Sequence, residues 1–180
     1  MSVLTYNELV KAVADGVISD VTPDRINGAS IDVRLGRWAW LEDDCFGIVR
    51  LAQKEAPRML KRDLNDKPLL LHPGEFCLAQ TIEVFNLPAD LAGEFRLKSS
   101  GARAGLDQAL AVWCDPGWHG SVLTLELRNN LQHHSLELEY GMKIGQVVFH
   151  RGEPVPADAS YAVRGQYNGD VTAQPSRGVR

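Results

Sequence analysis

The sequence predicts a mainly β subunit of the sandwich or barrel type, built from short antiparallel strands. Three observations carry that expectation. Apolar and polar residues alternate with a period of two, first where Ala29, Ile31, Val33 and Leu35 interleave with Ser30, Asp32, Arg34 and Gly36. Turn signals rich in Gly, Pro and Asn separate one such run from the next at short spacing. The composition is ordinary for a globular chain, 44% hydrophobic and 23% charged, and 180 residues suit one domain with at most a tail.

The elements follow in order. Residues 5–16 read as a short helix: Thr5 and Glu8 form a capping-box pattern, Leu9, Val10 and Val13 share a face, and Gly16 is a C-terminal stop. The strand of residues 29–36 comes after Pro23. Residues 41–66 hold many charges and read as a long, variable loop. Leu69 to Leu71 is a short strand ended by His72-Pro73-Gly74-Glu75, and Phe76 to Val84 is a second, ended by Asn86-Leu87-Pro88. Leu91 to Leu97 is the next. Small residues over 99–106 break the rhythm, and Ser99 is placed to cap a short helical turn. Val122 to Leu127, Leu136 to Leu138 and Ile144 to His150 complete the strands. From 157 to 180 the chain is polar and Gly-rich, so this tail is either disordered or ordered against a ligand or another subunit.

Charge and cysteine usage narrow the function. With 19 basic against 23 acidic residues the net charge is -4, and no basic field exists to hold a nucleic-acid polymer by counterion release. Single anionic metabolites need only a few local cations and stay open. Cys45, Cys77 and Cys114 are odd in number and far apart, which fits a reducing cytoplasm rather than a disulfide framework. The N-terminus has no apolar signal core, and no run reaches the ~18 apolar residues of a membrane span.

The candidate chemistry is modest segment by segment. No H-x-E…P-C-x-x-C pattern exists and no second Cys lies near Cys114, so no protein-bound zinc is expected. Ser99 and Ser100 lie in Lys98-Ser99-Ser100-Gly101-Ala102-Arg103, outside any G-x-S-x-G context. The segment reads either as a turn cap or as a phosphate cradle of N–H groups, hydroxyls and two cations. Alternation puts Thr124 and Glu126 on one face of their strand. Glu126 is then either a solvent-facing carboxylate or a site residue. Asp115, before Pro116-Gly117, is a common kind of turn aspartate, and Asp32 reads as a plain outward strand residue.

Seven segments in order alter that balance. They are Asn27 to Gly36, Leu71 to Phe76, Leu87 to Leu91, Lys98 to Arg103, Asp115-Pro116-Gly117-Trp118 with Gly120, Thr124-Leu125-Glu126, and Tyr140 to Gln146. Together they resemble the dCTP deaminase family, which groups with the trimeric dUTPases, over about residues 5–180.

The resemblance implies a distorted jelly-roll, dUTPase-like β-barrel over 1–156 and a tail, 157–180, that closes over the nucleotide. It implies a homotrimer with active sites between subunits, and hydrolytic deamination of dCTP to dUTP and ammonia. The alternatives are a bifunctional enzyme that carries dUTP on to dUMP and pyrophosphate, a plain dUTPase, or a silent nucleotide-binding homologue. Mg²⁺ would ride on the triphosphate. Glu126 would be the general base, with Ser99 and Arg103 polarising the centre and Arg103 pairing with Glu126. The nucleotide would meet Lys98, Ser99, Ser100, Gly101, Ala102, Arg103, Ala111, Asp115, Thr124, Leu125, Glu126, Tyr161, Gln166 and Asp170. Ser99 and Glu126 keep the family separation, 126 − 99 = 27, while Asp115 sits one position early. Gln166 stands where the family favours a phosphate-binding lysine, and Asp170 adds negative charge there. Arg164 is the candidate substitute cation.

Overall fold

In a computed structural model of the protein the described residues are 1–109 and 111–178; Leu110, Val179 and Arg180 lie outside them. After β1 (Ser2–Val3), α1 (Tyr6–Ala14) opens on the expected capping box, where the Thr5 N–H donates to the Glu8 carboxylate at 2.9 Å. Gly16, at φ +79°, ends it in the left-handed region that glycine tolerates. The buried face is Leu9 and Ala12 with Val13 partly covered; Val10, expected on that face, is exposed because the stripe runs through Ala12.

β2 (Ile31–Arg34) puts Ile31 and Val33 into the core, as alternation requires. Asp32 departs from its outward reading: it is buried, with its carboxylate accepting from Asn27 Nδ2 at 2.8 Å and paired with Lys98 at 2.8 Å. A charge this enclosed persists because both partners reach it. The region expected as a long loop instead contains a hairpin, β3 (Trp38–Glu42) and β4 (Met59–Asp63), closed by residues 43–58. Its charges sit on an exposed ribbon, where Lys61 lies 3.7 Å from the Trp38 ring centroid.

β5 (Leu69–Leu71), β6 (Phe76–Asn86) and β7 (Leu91–Leu97) lie where expected, β6 running two residues further. α2 (Ser99–Arg103) then carries the chain to β8 (Leu106–Gln108) and β9 (Trp113–Cys114), two strands too short to read from sequence. Lys98 holds the N-cap position of α2, and Ser99 is its first helical residue rather than its cap. β10 (His119–Asn129), β11 (Leu136–Leu138) and β12 (Lys143–Arg151) follow, and α3 (Tyr161–Arg164) opens the tail.

All strand pairs among the described residues are antiparallel. One sheet runs β1-β12-β7-β9 with β2 also on β12; a second runs β4-β3-β6-β10-β8; β5 and β11 form a ribbon. Phe85, Phe95, Phe149, Ile31, Leu91 and Leu125 are among the fully buried side chains between them. This is the mainly β architecture that alternation and turn spacing predict. The tail packs on its own chain: Ala173 is 1% exposed, and its N–H donates to Gln80 Oε1 at 3.0 Å.

Candidate active site

The site is built on β10. Leu123, Leu125 and Leu127 point into the core, so Thr124 and Glu126 face the other way. They look into a cavity of about 520 Å³, within the range of small-molecule sites. Ala111, Trp113 and Asp115 form one wall, and Tyr161, Tyr167 and Asp170 of the tail form another. Register shifts in the β6–β10 pair fall between His119 and Ser121 and between Val122 and Thr124. Such bulges re-aim side chains next to sites.

Glu126 is half-buried and its carboxylate takes one side-chain hydrogen bond, from Gln108 Nε2 at 2.6 Å. Burial raises its pKa from the ordinary carboxylate value, and the Gln108 amide pulls it part of the way back. A carboxyl so poised can both accept and return a proton. Asp115, the cavity's second carboxylate, is fixed by Trp113 Nε1 at 3.0 Å. Thr124 Oγ1 accepts from the Gln174 N–H at 3.4 Å, tying the strand to the tail. Burial pushes the Tyr161 hydroxyl upward, and that hydroxyl accepts from the Tyr167 N–H at 3.3 Å.

The tail is fastened around the cavity by tryptophan and arginine. Trp118 stacks on Phe85, centroids 5.4 Å apart, and donates from Nε1 to the Tyr167 carbonyl at 2.7 Å. Arg177 lies 4.9 Å from the Tyr167 ring centroid, pairs with Asp170 at 2.7 Å and also donates to the Gln166 carbonyl. Gln166 therefore contributes its backbone here. Arg164, the expected substitute cation, donates instead to the Asp158 carbonyl at 2.7 Å. The cation beside Asp170 is Arg177.

Of the residues named from sequence, Ala111, Asp115, Thr124, Glu126, Tyr161 and Asp170 line the cavity. Leu125 is fully buried in the core and contributes only its backbone to the strand. Lys98, Ser99, Ser100, Gly101, Ala102 and Arg103 do not line it. Ser99, Ser100, Ala102 and Arg103 are exposed. The expected Arg103–Glu126 pair does not form within one chain among the described residues, because α2, as the crossover between the two sheets, keeps Arg103 in solvent. Gln108, Trp113, Tyr167, Gln174 and Arg177 were not singled out in the sequence. Gln108 was recoverable only by pairing the short strand β8 with β10.

Among the described residues no group of three His, Cys, Asp or Glu side chains gathers as a metal site. Cys77 and Cys114 are buried thiols pushed up to about 12, and Cys45 is exposed. No helix is long and apolar enough to cross a membrane.

Residues 3–152 match the family model described as dCTP deaminase-like. A protein of Acidothermus cellulolyticus named dCTP deaminase, dUMP-forming, is 41% identical over 167 residues, 89% of this chain and 85% of the relative. One of the same name from Bifidobacterium adolescentis is 37% identical over 182 residues, 97% of this chain and 93% of the relative. The crystal structure of 2'-deoxycytidine 5'-triphosphate deaminase from Agrobacterium tumefaciens shares the fold, with TM-score 0.66 and 21% identity over 83% of this chain. This chain spans about half of that longer one, 48%.

Proposed function

The chain belongs to the dCTP deaminase-like family, and on that footing we propose that it removes ammonia from dCTP and carries the resulting dUTP on to dUMP and diphosphate. The observation that carries the reading is Glu126, a half-buried carboxyl in a nucleotide-sized cavity with one neutral partner. The dUMP-forming names of the two relatives favour this over a reaction that stops at dUTP.

Glu126 takes a proton from a water whose oxygen bonds to C4 of the cytosine, and N3 gains a proton as the ring π pair moves onto it. The carboxyl then moves a proton from the new hydroxyl to the amino nitrogen. The C4–N bond breaks, ammonia leaves and a C4 carbonyl remains. Ala111 borders the base, and Thr124 with the backbone of Leu125 shapes the floor. Asp115 meets the deoxyribose and is the second carboxylate, available to the water that opens dUTP at the α-phosphate. Mg²⁺ enters on the triphosphate as part of the substrate.

The element from Lys98 to Arg103 completes the site from a neighbouring subunit of a homotrimer. Its exposure on the isolated protomer supports this. Ser99 and Arg103 then reach the reacting centre, while Ser100 and the Gly101 N–H hold phosphates beside Ala102, whose own N–H is donated to the Lys98 carbonyl at 3.1 Å. Lys98 keeps Asp32 as counter-charge and offers its other N–H donors. Residues 1–156 act as the β domain, and the tail from 157, with Tyr161, Gln166 and Asp170, closes over the nucleotide. Three free cysteines suit a reducing cytoplasm.

The test is a product assay on purified protein with Mg²⁺ and dCTP, reading ammonia and resolving nucleotides, beside a Glu126→Gln variant. Ammonia with dUMP and diphosphate, lost in the variant by a factor on the order of 10²–10⁴, is expected. Turnover of dCTP that survives in the variant would overturn the role of Glu126.

A further inference from the structure

Gln108 is an unusual partner for a working carboxyl. It sits on β8 opposite Leu127 of β10, one register position from Glu126, and is 6% exposed. The Ala109 N–H donates to the Glu126 carbonyl at 2.9 Å, so the backbones of the two residues are clamped together. Gln108 Nε2 then donates to Glu126 Oε2 at 2.6 Å. The other end of the amide, Oε1, is buried with no hydrogen-bond partner. An unsatisfied buried carbonyl is costly to keep and calls for an explanation.

The surroundings of Glu126 sharpen the point. From β6 the residue opposite is Leu78, which carries no charge. The β9 segment brings the Cys114 thiol and the Asp115 carboxylate, and the tail brings Tyr161, Tyr167 and Asp170, the last neutralised by Arg177. Within one chain no cation among the described residues contacts Glu126; in the proposed homotrimer, Arg103 of the neighbouring subunit is the cation that faces it, and a guanidinium has no acceptor to offer the protonated carboxyl. The two ends of one amide are opposite in hydrogen-bonding sense and nearly equal in shape.

We propose that Gln108 is a positioning residue that holds Glu126 in both protonation states, donating from Nε2 to the carboxylate and, after the amide turns over, accepting at Oε1 from the carboxylic acid. No bond to Gln108 is made or broken; the proton belongs to Glu126 throughout. A lysine or arginine here would favour the carboxylate alone, and an apolar residue would favour the acid alone. The amide's unpartnered oxygen is the acceptor held for the second state. This inference rests on the reading of Glu126 as the proton carrier in deamination.

The test uses the full chain with dCTP and Mg²⁺. Gln108→Met removes the amide at similar volume. It is expected to lower kcat for ammonia release on the order of 10²-fold, a cost typical of a misplaced reacting group. KM for dCTP stays within about twofold, since positioning acts after binding. The acidic limb of kcat/KM moves to higher pH, because the charge-assisted bond lost to the carboxylate is stronger than the neutral bond lost to the acid. An unmoved limb, or an unchanged kcat, would overturn the proposal. In the unsubstituted protein, the side-chain ¹⁵N resonances of Gln108 are expected to titrate with the midpoint of that limb. Resonances that stay fixed across it would overturn the proposal even if the variant failed to fold. Glu126→Gln separates the two claims: if it still releases ammonia, the general-base reading fails and takes this inference with it. If it is inactive while Gln108→Met behaves as the unsubstituted protein, only the inference fails.

Discussion

Arg177 reaches seven residues back along the tail to pair with Asp170, Nη2 to Oδ1 at 2.7 Å. The sequence puts an uncompensated carboxylate beside the expected phosphate site, and this pair removes it. The same guanidinium lies over the Tyr167 ring, and the Arg177 N–H donates to the Tyr167 hydroxyl at 2.9 Å. One side chain therefore neutralises the cavity wall and fastens the tail.

Arg177→Ala is expected to raise KM for dCTP on the order of tenfold, the worth of one charge-assisted contact. Asp170→Asn in the same chain recovers part of the loss, since it removes the exposed charge. The double-mutant cycle in KM measures this, and strict additivity would show that the pair does not act as a unit.

The acidic limb of the ammonia-releasing reaction is expected above the ordinary carboxylate range. The sign follows from burial: Glu126 keeps its proton to higher pH than a free carboxyl, so the base is lost as pH falls through that raised value. A profile of kcat/KM against pH measures it. A limb at the usual glutamate position would mean that Glu126 is not the titrating base.

Glu83 is fully buried and accepts from Arg25 at 2.5 Å and from Arg34 Nε at 2.9 Å. Glu83→Ala leaves the buried Arg25 guanidinium without its counter-charge, which costs about 3–5 kcal/mol. Urea unfolding of the variant against the unsubstituted protein measures the loss. A loss below about 1 kcal/mol, the size expected of a solvent-screened pair, would contradict the burial argument.

Mixing Arg103→Ala chains with Glu126→Ala chains tests whether the site is shared. Each variant alone is inactive, and a subunit-exchanged equal mixture is expected to regain roughly a quarter of the unsubstituted rate, as random assembly of a cyclic trimer allows. No recovery after verified exchange would mean that both residues serve one protomer's site.

Much of the fold was legible because its signals are local. The capping box of Thr5 and Glu8, the alternation of Ile31 and Val33 and the run from Val122 to Leu127 each specify an element within a few residues. What escaped depends on distant partners. Asp32 looks outward by alternation and is buried because Lys98 and Asn27 meet it. The hairpin of residues 38–63 is hidden by charges that lie on its exposed ribbon. Glu126 and Asp115, which line the cavity, were named through the resemblance of seven segments in order, since each segment alone also fits a solvent-facing or turn carboxylate. Gln108 escaped because a three-residue strand carries too little pattern to predict its pairing. Arg177 escaped because nothing in a Gly-rich tail marks which cation folds back onto Asp170.

The most direct measurement of the central claim is turnover of dCTP in water enriched in ¹⁸O, read by mass spectrometry of the products. Ammonia and dUMP are expected in equal amounts, with one heavy oxygen at C4 of the base and a second on the α-phosphate. Accumulation of dUTP without dUMP would contradict the second hydrolysis, and an absence of ammonia would contradict the deamination itself.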